Sequence, residues 1–217
     1  MTLELLSHPL STFHQKAIVA FYELDVPVRI VTLDQADETL MQGFRAEAPM
    51  GKFPLLKDAG RGEIVAESSI IIEHLDQRYG GSGRLLPSDP AKALEARLQD
   101  RYFDHYVQTP MNKIVADRIR PPESRDPHGV AEARTLLAKA YDLLERQFAQ
   151  GRTWAAGEDF TLADCGAGPA LYYAGRVQPF ADTHPALAAY YERLRARPSC
   201  ARAYAESEPF LHLFPEG

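Results

Sequence analysis

Over the first 80 residues the apolar positions change period several times. Leu3-Glu-Leu-Leu-Ser7 is an apolar run of strand length, and from Gln15 to Leu24 the residues Ala17, Ile18, Phe21 and Leu24 recur at the spacing of one helix face. Val28-Arg-Ile-Val-Thr-Leu33 is β-branched, so these three segments predict a βαβ unit. A polar, irregular helix is expected from Asp37 to Ala48. Pro54-Leu-Leu-Lys-Asp58 and Glu63-Ile-Val-Ala66 flank the turn residues Gly60-Arg-Gly62, which predicts an antiparallel hairpin. A further helix, starting at Ser68 or Ser69 and running to Tyr79, keeps Ile71, Ile72, Leu75 and Tyr79 on one face.

Turn residues then break the pattern, first in Gly80-Gly-Ser-Gly83 and again in Leu86-Pro-Ser-Asp-Pro90, as an interdomain linker would. All that follows has helical periodicity: Ala91 to about Arg120, His128 to Gln150, Leu162 to Val177, Pro185 to Arg197, and a short helix after Ser199. Pro121-Pro122 stops the first of these and Gly151 follows the second. Thr161-Leu-Ala-Asp164 is a start signal, because the threonine and aspartate can cap each other's amides. The expected fold class is α/β plus all-α. A βαβαββα domain spans 1–80, a linker spans 81–90 and an all-helical domain spans 91–217.

Composition narrows the function classes. With 45% hydrophobic and 25% charged residues, the 217-residue chain is an ordinary globular protein. Its formal charge of −6 disfavours nucleic acid as a partner, although Lys113, Arg118, Arg120 and Arg125 form one local basic cluster. No apolar run approaches the roughly 18 residues of a membrane span, so no membrane partner and a cytoplasmic location are expected. Cys165 and Cys200 show no ligand-like spacing, and the seven histidines no metal-like pairing, so neither a disulfide framework nor a metal site is expected. His8 and His14 flank the first strand-to-helix loop, where packing or solvation accounts for them without catalysis.

Three places carry candidate chemistry. In Met50-Gly-Lys-Phe-Pro-Leu-Leu56 the proline opens a strand, either as a simple edge strand or through a cis bond at Phe53-Pro54 that frees the Phe53 backbone for a peptide-like ligand. Lys52 beside it could meet a carboxylate. In Glu67-Ser68-Ser69 one serine could cap the helix while the other, with the unpaired amides of the first turn, binds a ligand carboxylate; Glu67 would then take the ligand's ammonium. The alternative is a capping cluster beside a solvated acid. In Ser7-His-Pro-Leu-Ser-Thr-Phe-His-Gln15, a hydroxyl of Ser11 or Thr12 at a helix start could donate to a thiolate, or serve only as an N-cap.

In this order the pieces resemble the cytosolic glutathione transferases, in a bacterial-type form with Ser or Thr where thioredoxins, glutaredoxins and some transferase classes carry cysteine. The resemblance rests on Gly51-Lys-Phe-Pro54, Glu67-Ser68, the proline-containing linker and Phe160-Thr-Leu-Ala-Asp164, and covers nearly the whole chain. It implies a thioredoxin-like N-terminal domain with Lys52, Phe53, Pro54, Glu67 and Ser68 holding glutathione. Ser69 is left for capping or packing, and Ser11, or else Thr12, stabilises the thiolate. It further implies a homodimer, glutathione as co-substrate with no other cofactor, and conjugation to a small hydrophobic electrophile. That electrophile would lie against the long helix after the linker, near Tyr102, Tyr106, Met111, Ile114 and Arg118, although a stripe of this kind is more often core. Alternatives are glutathione-dependent disulfide or peroxide reduction and a non-catalytic glutathione-binding or ligand-carrying role.

Overall fold

The computed structural model describes residues 3–80 and 83–215. Its N-terminal part runs β1 (Leu3–Ser7), α1 (Thr12–Glu23), β2 (Arg29–Thr32), α2 (Glu38–Glu47), β3 (Leu55–Asp58), β4 (Glu63–Ala66) and α3 (Ser68–Arg78). The sheet order is β2-β1-β3-β4, with β2 parallel to β1 and the other pairs antiparallel. Alternation along β1 sets the layers. Leu5, opposite Ile30 and Leu56, faces the large core with α1 and α3. Leu6, opposite Leu55, faces a smaller one with Met41 and Phe44 of α2. This is the thioredoxin-like arrangement.

The helical part contains α4 (Pro90–Tyr102), a π-helical segment (Phe103–Gln108), α5 (Thr109–Arg118), α6 (Pro127–Ala149), α7 (Leu162–Val177), α8 (Pro185–Ala196), α9 (Pro198–Ser207) and a closing 3-10 segment (Glu208–Leu213). The helix expected from Ala91 to Arg120 is therefore interrupted by a π turn. Both the amide and the hydroxyl of Thr109 donate to the Asp104 carbonyl five residues back. The linker residues Gly81 and Ser82 lie outside the described residues. At the far end of the linker Asp89 caps α4, accepting from the Lys92 amide at 2.9 Å.

Helix α7 is buried along almost its whole length and packs on α1, α4 and the π segment. The Thr161–Asp164 capping box opens it. The fully buried Asp164 carboxylate accepts from the amides of Thr161 and Ala155 and from the Tyr190 hydroxyl, at 2.7 to 2.9 Å. Burial still pushes its pKa upward. The Cys165 and Cys200 thiols are buried and unpaired, and burial raises both, Cys200 to about 12. Of the basic cluster, Lys113 pairs with Asp126 and Arg120 with Asp117, while Arg118 and Arg125 donate to backbone carbonyls. Each of the four thus has a partner within the chain.

Candidate active site

Two cavities open beside the C-terminal end of β1 and share Phe53 as a wall. The smaller, of about 370 Å³, gathers Lys52, Phe53, Pro54, Glu67 and Ser68, five residues from two separate stretches of sequence. The Phe53-Pro54 peptide bond is cis. The ladder of β3 starts only at Leu55, paired with Leu6 and Ala66, so Phe53 stands outside the sheet.

Glu67 is the N-cap residue of α3, with φ 70° and ψ 120° and no capping bond from its side chain. A positive φ at a residue with a Cβ costs of order 1–3 kcal/mol, and it turns the chain abruptly from β4 into the helix. The first-turn amides of α3 are then free of side-chain partners from Glu67, at the positive end of the helix dipole.

Neither serine caps α3. Ser68 and Ser69 are the first two helical residues, and Ser69 instead donates to Asp100 Oδ2 at 2.7 Å and accepts from Lys16 Nζ at 2.9 Å. Lys16, buried on α1, also lies 2.6 Å from Asp100 Oδ1 and 2.8 Å from Asp104 Oδ2. Arg101 closes the group from outside, donating to Ser69, Asp100 and Asp104. Burial raises Asp104 above the usual carboxylate range, with the Asp100 charge adding to the rise. Burial also pushes Asp100 upward, but the Lys16 charge and the surrounding donors outweigh it and leave its pKa low. Thus the residue next to the pocket serine ties α3 to α1 and α4. The sequence signal for it was a lysine and a glutamine, Lys16 and Gln15, leading into an otherwise apolar helix stretch.

The larger cavity, of about 680 Å³, adjoins Ser11. Ser11 is the N-cap of α1, its Oγ accepting from the His14 amide at 3.4 Å. Thr12 is buried, and its Oγ1 accepts from Gln108 Nε2 at 3.0 Å. Of the two adjacent hydroxyls, the Ser11 side lines the cavity and the Thr12 side is tied to the π segment. Leu10, Met41, Phe53, Phe210 and Leu213 make the walls apolar, and His8 packs edge-on against Phe210 with ring centroids 5.1 Å apart. Burial lowers the His8 pKa, and burial brings that of His14 to about 4.

The helical wall of this cavity comes from the closing 3-10 segment, not from the stripe after the linker. Met111 and Ile114 are each only 2% exposed, in the core of the helical part. Tyr102 and Tyr106 face each other with centroids 5.0 Å apart, and Arg118 donates to the Pro215 carbonyl at 3.0 Å. None of the five lines either cavity. Of the stripe, Met111 and Ile114 serve packing, while Tyr106 is exposed. Phe210 and Leu213, three residues apart in a segment too short to show periodicity, gave no comparable signal.

Away from the cavities, the described residues include one cluster with metal-ligand chemistry, Asp58, Glu63 and His74. Its groups already serve one another: Tyr79 and the Arg61 amide donate to Asp58, and the His74 ring lies 3.1 Å from Asp58 and 3.6 Å from Glu63. The cluster clips the β3–β4 hairpin to α3.

Residues 5–83 match the family model of the glutathione S-transferase N-terminal domain, and residues 108–198 match that of the glutathione S-transferase C-terminal domain. The chain is 28% identical over 194 residues to glutathione S-transferase GstB of Escherichia coli (strain K12), covering 87% of this chain and 91% of the relative. It is also 28% identical over 215 residues to the dichloromethane dehalogenase of Methylorubrum extorquens, covering 91% of this chain and 72% of that one. Among solved structures, a glutathione S-transferase of Methylobacterium radiotolerans in complex with glutathione sulfonate superimposes with TM-score 0.80 at 28% identity, over 94% of both chains.

Proposed function

Since the chain belongs to the glutathione S-transferase family, we propose that it joins the glutathione thiolate to a small, largely apolar electrophile held in the cavity beside Ser11. The observation that carries this reading is the shared wall. Phe53, next to the cis proline, borders both the pocket of Glu67 and Ser68 and the cavity of Ser11. A tripeptide with its γ-glutamyl ammonium on Glu67 and its carboxylate on Ser68 and the α3 amides would run past the Phe53 backbone. That path brings its sulfur to Ser11.

At the helix start, a hydrogen bond from the Ser11 hydroxyl would stabilise the thiolate, with the dipole of α1 adding to it. A thiol of pKa near 8.5 is only a few per cent ionised at neutral pH, and lowering it by about two units corresponds to roughly 2.7 kcal/mol. The thiol proton leaves to solvent, the sulfur bonds to the electrophilic carbon, and the leaving group departs with its electron pair. The likeness to a dichloromethane dehalogenase fits displacement of this kind. Disulfide or peroxide reduction is the second reading. Neither cavity is lined by cysteine, so a second glutathione would have to resolve the intermediate.

Two buried free thiols suit a cytoplasmic protein, and among the described residues no helix is long and apolar enough to cross a membrane. Ile70 of α3 and Leu94 and Leu98 of α4 are exposed, with an Arg97–Glu73 ion pair joining the two helices. This surface supports an isologous homodimer, which sedimentation at micromolar concentration tests. The activity is tested by calorimetric titration with glutathione, followed by parallel assays of aryl halide conjugation and disulfide reduction. Binding with faster conjugation supports the reading. Binding with reduction alone selects the second reading, and absence of binding removes both.

A further inference from the structure

The cavity beside Ser11 has a distinctive electrostatic wall. Its lining contains one formal charge, the carboxylate of Asp34, and neither lysine nor arginine. The lysine of the adjoining pocket, Lys52, lies beyond the shared Phe53 wall and is not part of this lining. Of the two histidines in the wall, His8 uses its Nδ1 to accept the Leu10 amide at 3.2 Å, so that nitrogen is not free to take a proton.

Asp34 is exposed and is held by its own turn. It belongs to the loop after β2, its Oδ1 accepts from the Ala36 amide at 2.9 Å, and its carbonyl accepts from the Asp37 amide at 3.1 Å, just before α2. The loop therefore presents the carboxylate as a consequence of its own turn. Asp34 and His8 both line the cavity, and the Asp34 charge opposes the lowering of the His8 pKa by burial.

We infer that Asp34 is a specificity-determining residue, which makes the acceptor cavity select uncharged electrophiles and reject those carrying a carboxylate. The inference rests on the proposed conjugation reading and adds to it the charge class of the second substrate. An acceptor carboxylate entering this cavity would lose part of its hydration and find a like charge with no lysine or arginine in the lining to offset it. For two such charges about 6 Å apart at an effective dielectric between that of protein surface and water, the discrimination is about tenfold.

The test compares chlorodinitrobenzene with chlorodinitrobenzoate, which carries an added ring carboxylate. In both, the glutathione sulfur bonds to the ring carbon, the carbon–chlorine bond breaks, and chloride leaves with the electron pair. The readout is the ratio of kcat/KM for the neutral acceptor to that for the anionic one, after dividing each by its uncatalysed rate with glutathione. The ratio is expected to fall about tenfold on Asp34→Asn, which keeps the turn's acceptor and removes the charge. Affinities of the two purified glutathione conjugates, measured by calorimetry, should shift in the same sense without any turnover. A ratio unaltered by Asp34→Asn, or a wild-type protein that treats the two acceptors alike, overturns the inference and leaves conjugation standing. If neither conjugate nor glutathione binds, the conjugation reading itself has failed, and the inference falls with it.

Discussion

Lys16 Nζ lies 2.6 Å from Asp100 Oδ1, joining α1 of the thioredoxin-like part to α4 of the helical part with both side chains buried. Ser69 and Asp104 complete the lysine's set of partners. Removing one partner of a buried pair strands the other charge, so Lys16→Met should cost about 3–5 kcal/mol in urea unfolding. The double variant Lys16→Met with Asp100→Leu should recover much of that loss, because no charge is then left unpaired. A single variant as stable as the parent would show that the acids of this cluster carry protons in the folded state.

A second joint between the two parts sets part of the acid stability. Burial pushes the Glu23 carboxyl upward, but the bonds from Arg197 and Ser199 outweigh it and hold its pKa below the usual range. A carboxyl depressed in the folded state stabilises the protein above its unfolded value, near 4.3, and that contribution is lost as pH falls through the folded value. Glu23→Gln should therefore be less stable than the parent at neutral pH and converge on it as pH falls through the lowered folded value. Parallel unfolding curves at several pH values check this, and a constant gap between the two proteins would contradict it.

Glu67 combines an assigned ligand role with a costly backbone. Since φ is 70° there, Glu67→Gly should raise stability by about 1 kcal/mol after the extra freedom of glycine in the unfolded chain is subtracted. The same change removes the carboxylate, so KM for glutathione should rise while kcat changes little, as for Ser68→Ala. A protein that becomes more stable and binds glutathione less tightly is the expected signature of a strained binding residue. Loss of both would mean that the carboxylate holds the fold.

Much of this was legible in the sequence because the relevant forces are local. The Gly60-Arg-Gly62 turn between two strand-length runs, the periodicity of Leu162–Val177 and the capping pair Thr161–Asp164 depend on residues a few positions apart. The proline of Phe53-Pro54 and the Glu67-Ser68 pair announced one cavity for the same reason. What escaped reading was long-range. Ser69 looked like a cap until Lys16 and Asp100 approached it, and Met111 and Ile114 looked like a pocket until α6 and α7 covered their helix. The π turn at Phe103–Gln108 also had no local signature, and it is this segment that carries Gln108 to Thr12.

That contact separates the roles of the adjacent hydroxyls. Ser11 borders the cavity and is placed to touch the sulfur, so Ser11→Ala should raise the pKa of bound glutathione and lower kcat near neutral pH by roughly ten- to a hundredfold, for one to two pKa units. Raising the pH should restore part of the loss, since ionisation is what was removed. Thr12 is turned toward Gln108, so Thr12→Val should act through the position of the loop: a lower kcat that higher pH does not restore, and a bound-thiol titration close to the parent's. Gln108→Met, which keeps the bulk and removes the donor, should reproduce the Thr12→Val profile, and the double variant should be little worse than either alone. Ultraviolet titration of the bound thiolate in the parent and the four variants distinguishes the cases. If Thr12→Val shifts that titration and Ser11→Ala does not, the activating hydroxyl is Thr12; if neither does, the backbone amides at the start of α1 hold the thiolate unaided.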